Sequence, residues 1–177
     1  MGASMYKEIG KAIADELRQV PGTGRVHEFQ RYAAGLEKYL GLFRTEGDGG
    51  QGKLLGWIVT REAASEGLGS FAGSQGQGFT PSGVNRRVHT FLILGRMGLE
   101  DGAGSELAFQ DLIEAVCDRL RDNNVLRLRD ASGAPRVPTL ERLGPPQVDA
   151  VDVRAFGPAL CHAAELRVQA IERIVRA

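Results

Sequence analysis

The chain has 177 residues, with 22 basic and 22 acidic side chains and a formal net charge of zero. That length suits one well-buried core and not two full domains, and the balanced charge argues against a protein whose main business is non-specific binding to nucleic acid or an anionic membrane. No apolar run is long enough to span a bilayer, and MGASMYKEIGKAIADEL lacks a signal peptide's apolar block and fits the myristoylation pattern poorly, with Tyr6 at its last position.

In chain order, Met5, Ile9, Ile13 and Leu17 step by four and predict a helix over 4–20, with Ser4 as its cap and Pro21-Gly22 as its stop. Arg25 and Val26 form a short extended link. A second amphipathic helix is predicted over about 27–43, with Phe29, Tyr32, Ala33, Leu36, Leu40 and Phe43 on one face. Residues 45–52 (TEGDGGQG) bury nothing and read as a hairpin-like or open loop. Residues 53–61 (KLLGWIVTR) predict a strand, with β character from Trp57, Ile58 and Val59 and a bulge at Gly56. A long connection rich in Gly, Ser and Gln follows over about 62–85, holding isolated apolar residues at Leu68, Phe71 and Phe79. A loop of that length within one domain has a task of its own or is disordered.

The clearest unit is 86–120. Val88 to Leu94 is apolar without a break over its last four residues, which fits a central strand covered on both sides. Gly95, Gly98, Gly102 and Gly104 supply turn chemistry, and Asp101 or Ser105 can cap the next helix. Phe109, Leu112, Ile113, Val116, Cys117 and Leu120 put one apolar stripe on that helix, which lies on the sheet. A short strand is predicted over 125–128 and a loop over 130–138, and Gly144-Pro145-Pro146 punctuates again. Residues 147–154 alternate Val148, Val151 and Val153 with Asp149, Asp152 and Arg154, predicting a strand that turns at Phe156-Gly157-Pro158. Residues 159–177 can be a helix (Cys161, Ala164, Val168, Ile171 and Val175 on one face) or a strand (Leu160, His162, Ala164, Leu166 and Val168). Propensity favours the helix. The tight turn leaves the preceding strand needing a partner, so the strand is preferred, through about Ile171. The order α-α-β-β-α-β-β is that of a single α+β domain over 1–177, a mostly antiparallel sheet with amphipathic helices packed on it.

Chemical motifs are sparse. Gly67 to Ala72 spells G-x-G-x-x-A without the strand–helix setting that aims backbone N–H groups at a pyrophosphate. Ala72-Gly73-Ser74-Gln75-Gly76 lacks the first glycine of a nucleophile elbow. His27, His89 and His162 are scattered, so spacing assembles no Ser–His–acid triad, although a triad need not be local in sequence. Cys117, Cys161 and His162 lack paired zinc-ligand spacing. Two buried free thiols and a partly exposed histidine are expected instead, in keeping with a reducing compartment. Glu100 and Asp101 read as helix-entry charges. Glu62 with Glu66, Asp111 with Glu114, and Asp149 with Asp152 form no acid–base set by spacing. Arg119, Arg121, Arg127, Arg129, Arg136 and Arg142 are dense but interleaved with acids, which suits a solvated face or protein interface. No catalytic residue, cofactor site or metal site is assigned. A domain with two long glycine-rich loops and no site chemistry suggests an interaction or assembly protein.

Three stretches carry a resemblance. One is the G-L-x-D turn at Gly98, Leu99 and Asp101. A second is S-E-x-x-F-Q at Ser105, Glu106, Phe109 and Gln110. The third is P-P-Q at Pro145, Pro146 and Gln147 with F-G-x-x-L-C-H at Phe156, Gly157, Leu160, Cys161 and His162. With the opening YKEIGKAIADELRQVPGTGRVHEFQRY, this pattern resembles tail terminator (tail completion) proteins of long-tailed bacteriophages, over most of the chain. The resemblance implies a homohexameric ring in the virion, at the head-proximal end of the tail. The ring would stop tail-tube polymerisation and present a surface to the head-completion or connector proteins, after folding in the host cytoplasm. It implies no catalysis, no cofactor, no membrane partner and no specific nucleic acid, with DNA passing through the ring lumen. The 62–85 loop departs from the shorter members. Glycine-rich loop residues Gly49, Gly50, Gly69, Phe71, Gln75 and Phe79 are the expected subunit or partner contacts. Deleting 67–78 should leave the monomer folded but impair ring formation or tail-length control. Another neck or tail-completion subunit, such as a head-closure or tail-tube protein, stays open as an alternative, as does a small soluble hydrolase or nucleotide-binding enzyme.

Overall fold

The structure is a computed structural model that describes residues 4–31, 35–45, 53–67, 83–100, 104–126, 134, 137–156 and 159–176. Its elements are α1 (Tyr6–Arg18), β1 (Arg25–His27), α2 (Leu36–Gly41), β2 (Leu55–Gly67), β3 (Gly83–Gly98), α3 (Ser105–Asp122), β4 (Leu140–Leu143), β5 (Gln147–Phe156) and β6 (Ala159–Arg176). The strands form one sheet in the order β1-β2-β3-β6, with β4 and β5 placed one after the other along the far side of β6. Among the described residues, only β1 and β2 pair in parallel. β3 pairs with β6 along its whole length, from Gly83↔Arg176 to Gly98↔Cys161. The fold is therefore α+β, a curled and mostly antiparallel sheet with helices packed on it, as the sequence predicts.

The alternation of side chains along each strand decides where the core lies. Trp57 and Val59 of β2, Phe91 and Ile93 of β3, and Leu166 and Val168 of β6 share one face. Ile9, Ile13 and Leu17 of α1 pack there with Phe109, Ile113, Val116 and Leu120 of α3. Neither helix has a side-chain hydrogen bond at its N-cap. Each fully buried large side chain contributes about 2 kcal/mol, against about 1 kcal/mol for a cap, so packing holds these helices without one. α2 lies on the opposite face, where Leu40 and Phe43 are buried outside the main core with Ile58, Cys161 and Ala163. The ring of Phe43 meets the edge of His27 at 5.8 Å, and the His27 Nε2 bonds the Leu42 carbonyl at 2.8 Å.

Several expectations need correction. Ser4 does not cap α1; its hydroxyl donates to Glu172 instead, at 2.7 Å. The second helix does not begin at His27, which pairs in β1 with Ile58, and Phe29 is exposed. The described helix starts at Leu36, after an extended Gly35, while the parallel pairing claims His27, the first residue of the predicted helix. Gly56 makes no bulge. It lies flat beneath α2, where a Cβ would meet the Arg25 carbonyl oxygen at 2.6 Å and the Phe43 ring at 2.9 Å. The bulge falls at Glu62, the residue skipped between Arg61 and Ala63 in the register with β3.

Within the predicted 62–85 loop, 62–67 and 83–85 are strand, since β2 runs to Gly67 and β3 begins at Gly83. Residues 62–66 are exposed or half-buried and have no apolar pattern; they are strand because β3 offers them a ladder, fastened by Arg87 Nη2 to Glu66 at 2.6 Å. No strand forms at Val125 and Leu126: Leu126 has a left-handed φ of 45°, and its N–H donates to Asn123 in a turn. β4 has no signature of its own in the sequence; four half-polar residues become a strand through pairing with Ala170–Glu172. Residues 159–176 are a strand and not a helix, and it extends past Ile171 to Arg176.

Candidate functional site

Leu99, Ser105 and Phe109 meet Leu160 and His162 at one end of the sheet, whereas Gln147 of the P-P-Q stretch pairs with Arg167 away from it. The Leu99 N–H donates to the Leu160 carbonyl at 3.1 Å, so the turn after β3 is tied to the start of β6. The Glu100 N–H donates to Ser105 Oγ at 2.9 Å, and the same oxygen pairs with His162 Nε2 at 2.9 Å. The His162 ring stacks on Phe109, centroids 5.9 Å apart, and Phe109 stacks in turn on Trp57 at 6.0 Å. Ser105 therefore does not cap α3, whose N-cap is Gly104 at φ 61°. It staples the turn to the strand instead. His162, expected to be partly exposed, is 5% exposed, because α3 lies across it.

A second polar node lies at the other end of the same face. Glu172, fully buried, accepts from Ser4 Oγ (2.7 Å), the Met5 N–H (2.7 Å), His89 Nε2 (2.8 Å) and Thr139 Oγ1 (3.1 Å). Burial pushes its carboxyl pKa up, but these four hydrogen bonds outweigh that and hold it below the ordinary value. Serine, histidine and glutamate thus stand together, yet not as a relay. The carboxylate sits on Nε2, the nitrogen that also lies nearest the hydroxyl at 3.4 Å, and Nδ1 has no partner among the described residues. A triad needs the acid on one ring nitrogen and the hydroxyl on the other. This node anchors the chain ahead of α1 and the turn before β4 to the sheet.

The sheet has two open edges. β1 covers β2 only at Gly56–Ile58, so Val59 to Ser65 have no strand partner on that side among the described residues. A groove of about 540 Å³ runs along this edge beneath α1, lined by Tyr6, Lys7, Lys11, Phe29, Val59 and Arg61 among others. The Arg61 guanidinium lies 3.9 Å from the Tyr6 ring centroid. On the far side, β5 pairs only with β6 among the described residues. Val148, Val153 and Leu160 are exposed there on the core-side face, at 43%, 51% and 53%. Val148 and Val153 lie on the edge strand and Leu160 on β6 beside it, so a small apolar patch stands exposed on this side of the sheet.

Of the predicted contact residues, Gly49, Gly50, Gly69, Phe71, Gln75 and Phe79 all lie outside the described residues. The same holds for Asp101, Ser74, Arg127, Arg129 and Arg136. The ends of the 45–52 loop are closed by the Thr45 N–H bonding the Lys53 carbonyl at 2.9 Å and by an Arg44–Leu54 bridge. Cys117 and Cys161 are free and buried, and burial pushes both thiols up. Arg119 joins α3 to the buried Glu16 of α1 at 2.6 Å, and Asn123 adds a bond of 2.8 Å. No group of three or more His, Cys, Asp or Glu arranged to hold a metal occurs among the described residues.

Sequence reasoning missed the bulge acids Glu62 and Asp149 and their shared partner Arg167. It had no signal for them, because three charged residues far apart in sequence meet only once the strands are in register. In class, the fold is a one-sheet α+β domain with a strand edge open on each side among the described residues. No protein-family model matches the chain, and no curated protein matches it.

Proposed function

We propose that this chain is a structural subunit of a bacteriophage virion, of the tail terminator kind, and not a catalyst. It assembles as a ring, caps the head-proximal end of the tail tube, stops tube growth and joins the tube to the head-completion proteins. One observation carries the reading. Two of the stretches behind the resemblance, 98–110 and 156–162, are distant in sequence, yet residues of both build one structural node, with Leu99 on Leu160, Ser105 on His162 and Phe109 stacked on the same imidazole. The open edges of β2 and β5 add the surface such a subunit needs, since a closed ring requires two different patches on each copy.

The test is tube growth. Purified chain added to polymerising tail-tube subunits encoded beside its gene should stop elongation and be found at one end of each tube. Tubes of the same length with and without the chain, and no chain at their ends, would overturn the proposal.

A further inference from the structure

We infer that Glu62, Arg167 and Asp149 form a relay: they couple the bulge in β2 to the bulge in β5, so that releasing one loosens the other. β3 and β6 lie between the two bulges, and no strand pairing joins β2 to β5 among the described residues. The connection is a side chain. Leu92 of β3 is in register with Thr60 on one side and Arg167 on the other, so the arginine stem crosses β3 beside Leu92 to reach Glu62. Nε and Nη2 then donate to the two Glu62 oxygens at 2.6 and 2.8 Å, and Nη1 donates to Asp149 at 2.6 Å. Each acid is the residue that its strand skips, between Arg61 and Ala63 and between Val148 and Ala150.

An exposed ion pair contributes little when two long side chains must be ordered for one contact. Here the three side chains are 33–37% exposed, and one guanidinium is ordered once for both acids. With Glu62 in place, the fork is already held beside Asp149. Without it, the single Nη1 bond has to order the whole arm, so each acid strengthens the other's hold. Neither acid has another cation to turn to among the described residues: Arg154 is taken by Asp152 and Glu165, and Arg61 lies over Tyr6 on the opposite face. A bulge sets the bend and twist of its strand, so what passes along the relay is strand shape. A contact that straightens one side of the sheet relaxes the other, and linkage makes the influence equal in both directions.

The test is amide hydrogen exchange, resolved residue by residue, in the full chain and its variants. Glu62→Ala should quicken exchange at 148–150 on the order of fivefold, although no residue of β5 is changed. Asp149→Ala should quicken exchange at 61–63 by a similar factor. Added to Arg167→Met, either alanine variant should alter its own bulge alone. Arg167→Lys, a point charge without the fork, should weaken the effect on the far bulge, and so should high salt. A far bulge whose exchange is unchanged or slowed would overturn the relay. So would an effect that survives in Arg167→Met, because the backbone would then be carrying it. Exchange that quickens equally at 91–94, in the middle of the β3–β6 ladder, would also overturn it, since the whole sheet would have loosened. None of these outcomes bears on tube growth, which decides the proposed function separately.

Discussion

Arg167 on β6 reaches across β3 to Glu62 on β2, donating from Nε and Nη2 to the two carboxylate oxygens at 2.6 and 2.8 Å. Its remaining nitrogen, Nη1, donates to Asp149 on β5 at 2.6 Å. Glu62 and Asp149 are the residues skipped in the register of β2 and β5, so one guanidinium holds the extra residue of both these bulges. A bulge bends its strand and sharpens local twist. Arg167 thus fixes the shape of the two open edges together, from the face opposite the main core.

Replacing Arg167 by Met keeps the stem and removes the fork. Both bulges should loosen, and amide hydrogen exchange should quicken at 61–63 and 148–150 while the β3–β6 ladder stays protected. The pH dependence has a definite sign. The hydrogen bond from Arg167 is the main cause holding the Glu62 carboxyl below its ordinary value. Its contribution is therefore present above the unfolded pKa and lost as pH falls through the folded one. The stability gap between wild type and Arg167→Met, read from denaturant midpoints, should be widest near neutrality and close in acid. A gap that does not change with pH would show that packing, and not the ion pair, is what the variant loses.

Glu172 makes a stronger prediction because it is buried. Glu172→Gln keeps the shape but puts an amide donor among four donors, so the Ser4, Met5 and His89 contacts cannot all survive. The loss should be about 3 kcal/mol by equilibrium denaturation. The wild-type carboxyl is held below its ordinary value, so this stability also disappears as pH drops through the folded pKa. The variant should lose the acid limb of the stability profile, and proteolysis ahead of α1 should speed up. Wild-type stability with wild-type acid sensitivity would contradict the assignment.

The legible parts of the fold were those whose pattern is local. The stripes Ile9–Ile13–Leu17 and Phe109–Ile113–Val116–Leu120 mark α1 and α3, and the apolar run at Phe91–Leu94 marks β3. The choice of strand for β6 comes from topology, because a tight turn after β5 leaves that strand without a partner. What failed was non-local. His27, Glu66 and Leu140 are in strands only because another strand lies beside them, and no periodicity in their own segments says so. The site was less legible. The loops chosen from glycine content lie outside the described residues, whereas Phe29, Val148, Val153 and Arg167 acquire meaning only from their place on an edge or across the sheet.

Gly95 tests the packing of the core. Its Cα faces the indole of Trp57, and an added Cβ would lie 2.6 to 3.0 Å from three ring atoms. Trp57 is fully buried and stacked on Phe109, so it has no room to yield. Gly95→Ala should cost about 1–3 kcal/mol through overpacking, although alanine suits a strand better than glycine does. The near-ultraviolet signal of the single tryptophan should change with it. A neutral substitution would mean that the indole can shift and that the stack on Phe109 is not rigid.

Ser105 and His162 give the last prediction, which separates a structural pair from a chemical one. Ser105 is 6% exposed, and its oxygen already accepts the Glu100 N–H while pairing with the imidazole. Ser105→Ala leaves the His162 nitrogen without its partner in a buried position. It should destabilise the fold by about 1–3 kcal/mol, and Ser105→Thr should restore part of that if the extra methyl fits. As a nucleophile the serine would need its oxygen open to a substrate and its histidine oriented by an acid. The expected result with an active-site fluorophosphonate is no labelling of Ser105 in the native chain, with assembly of the alanine variant weakened only in step with its stability. Stoichiometric labelling that His162→Asn abolishes would overturn the structural reading and make this pair the place to search for an activity.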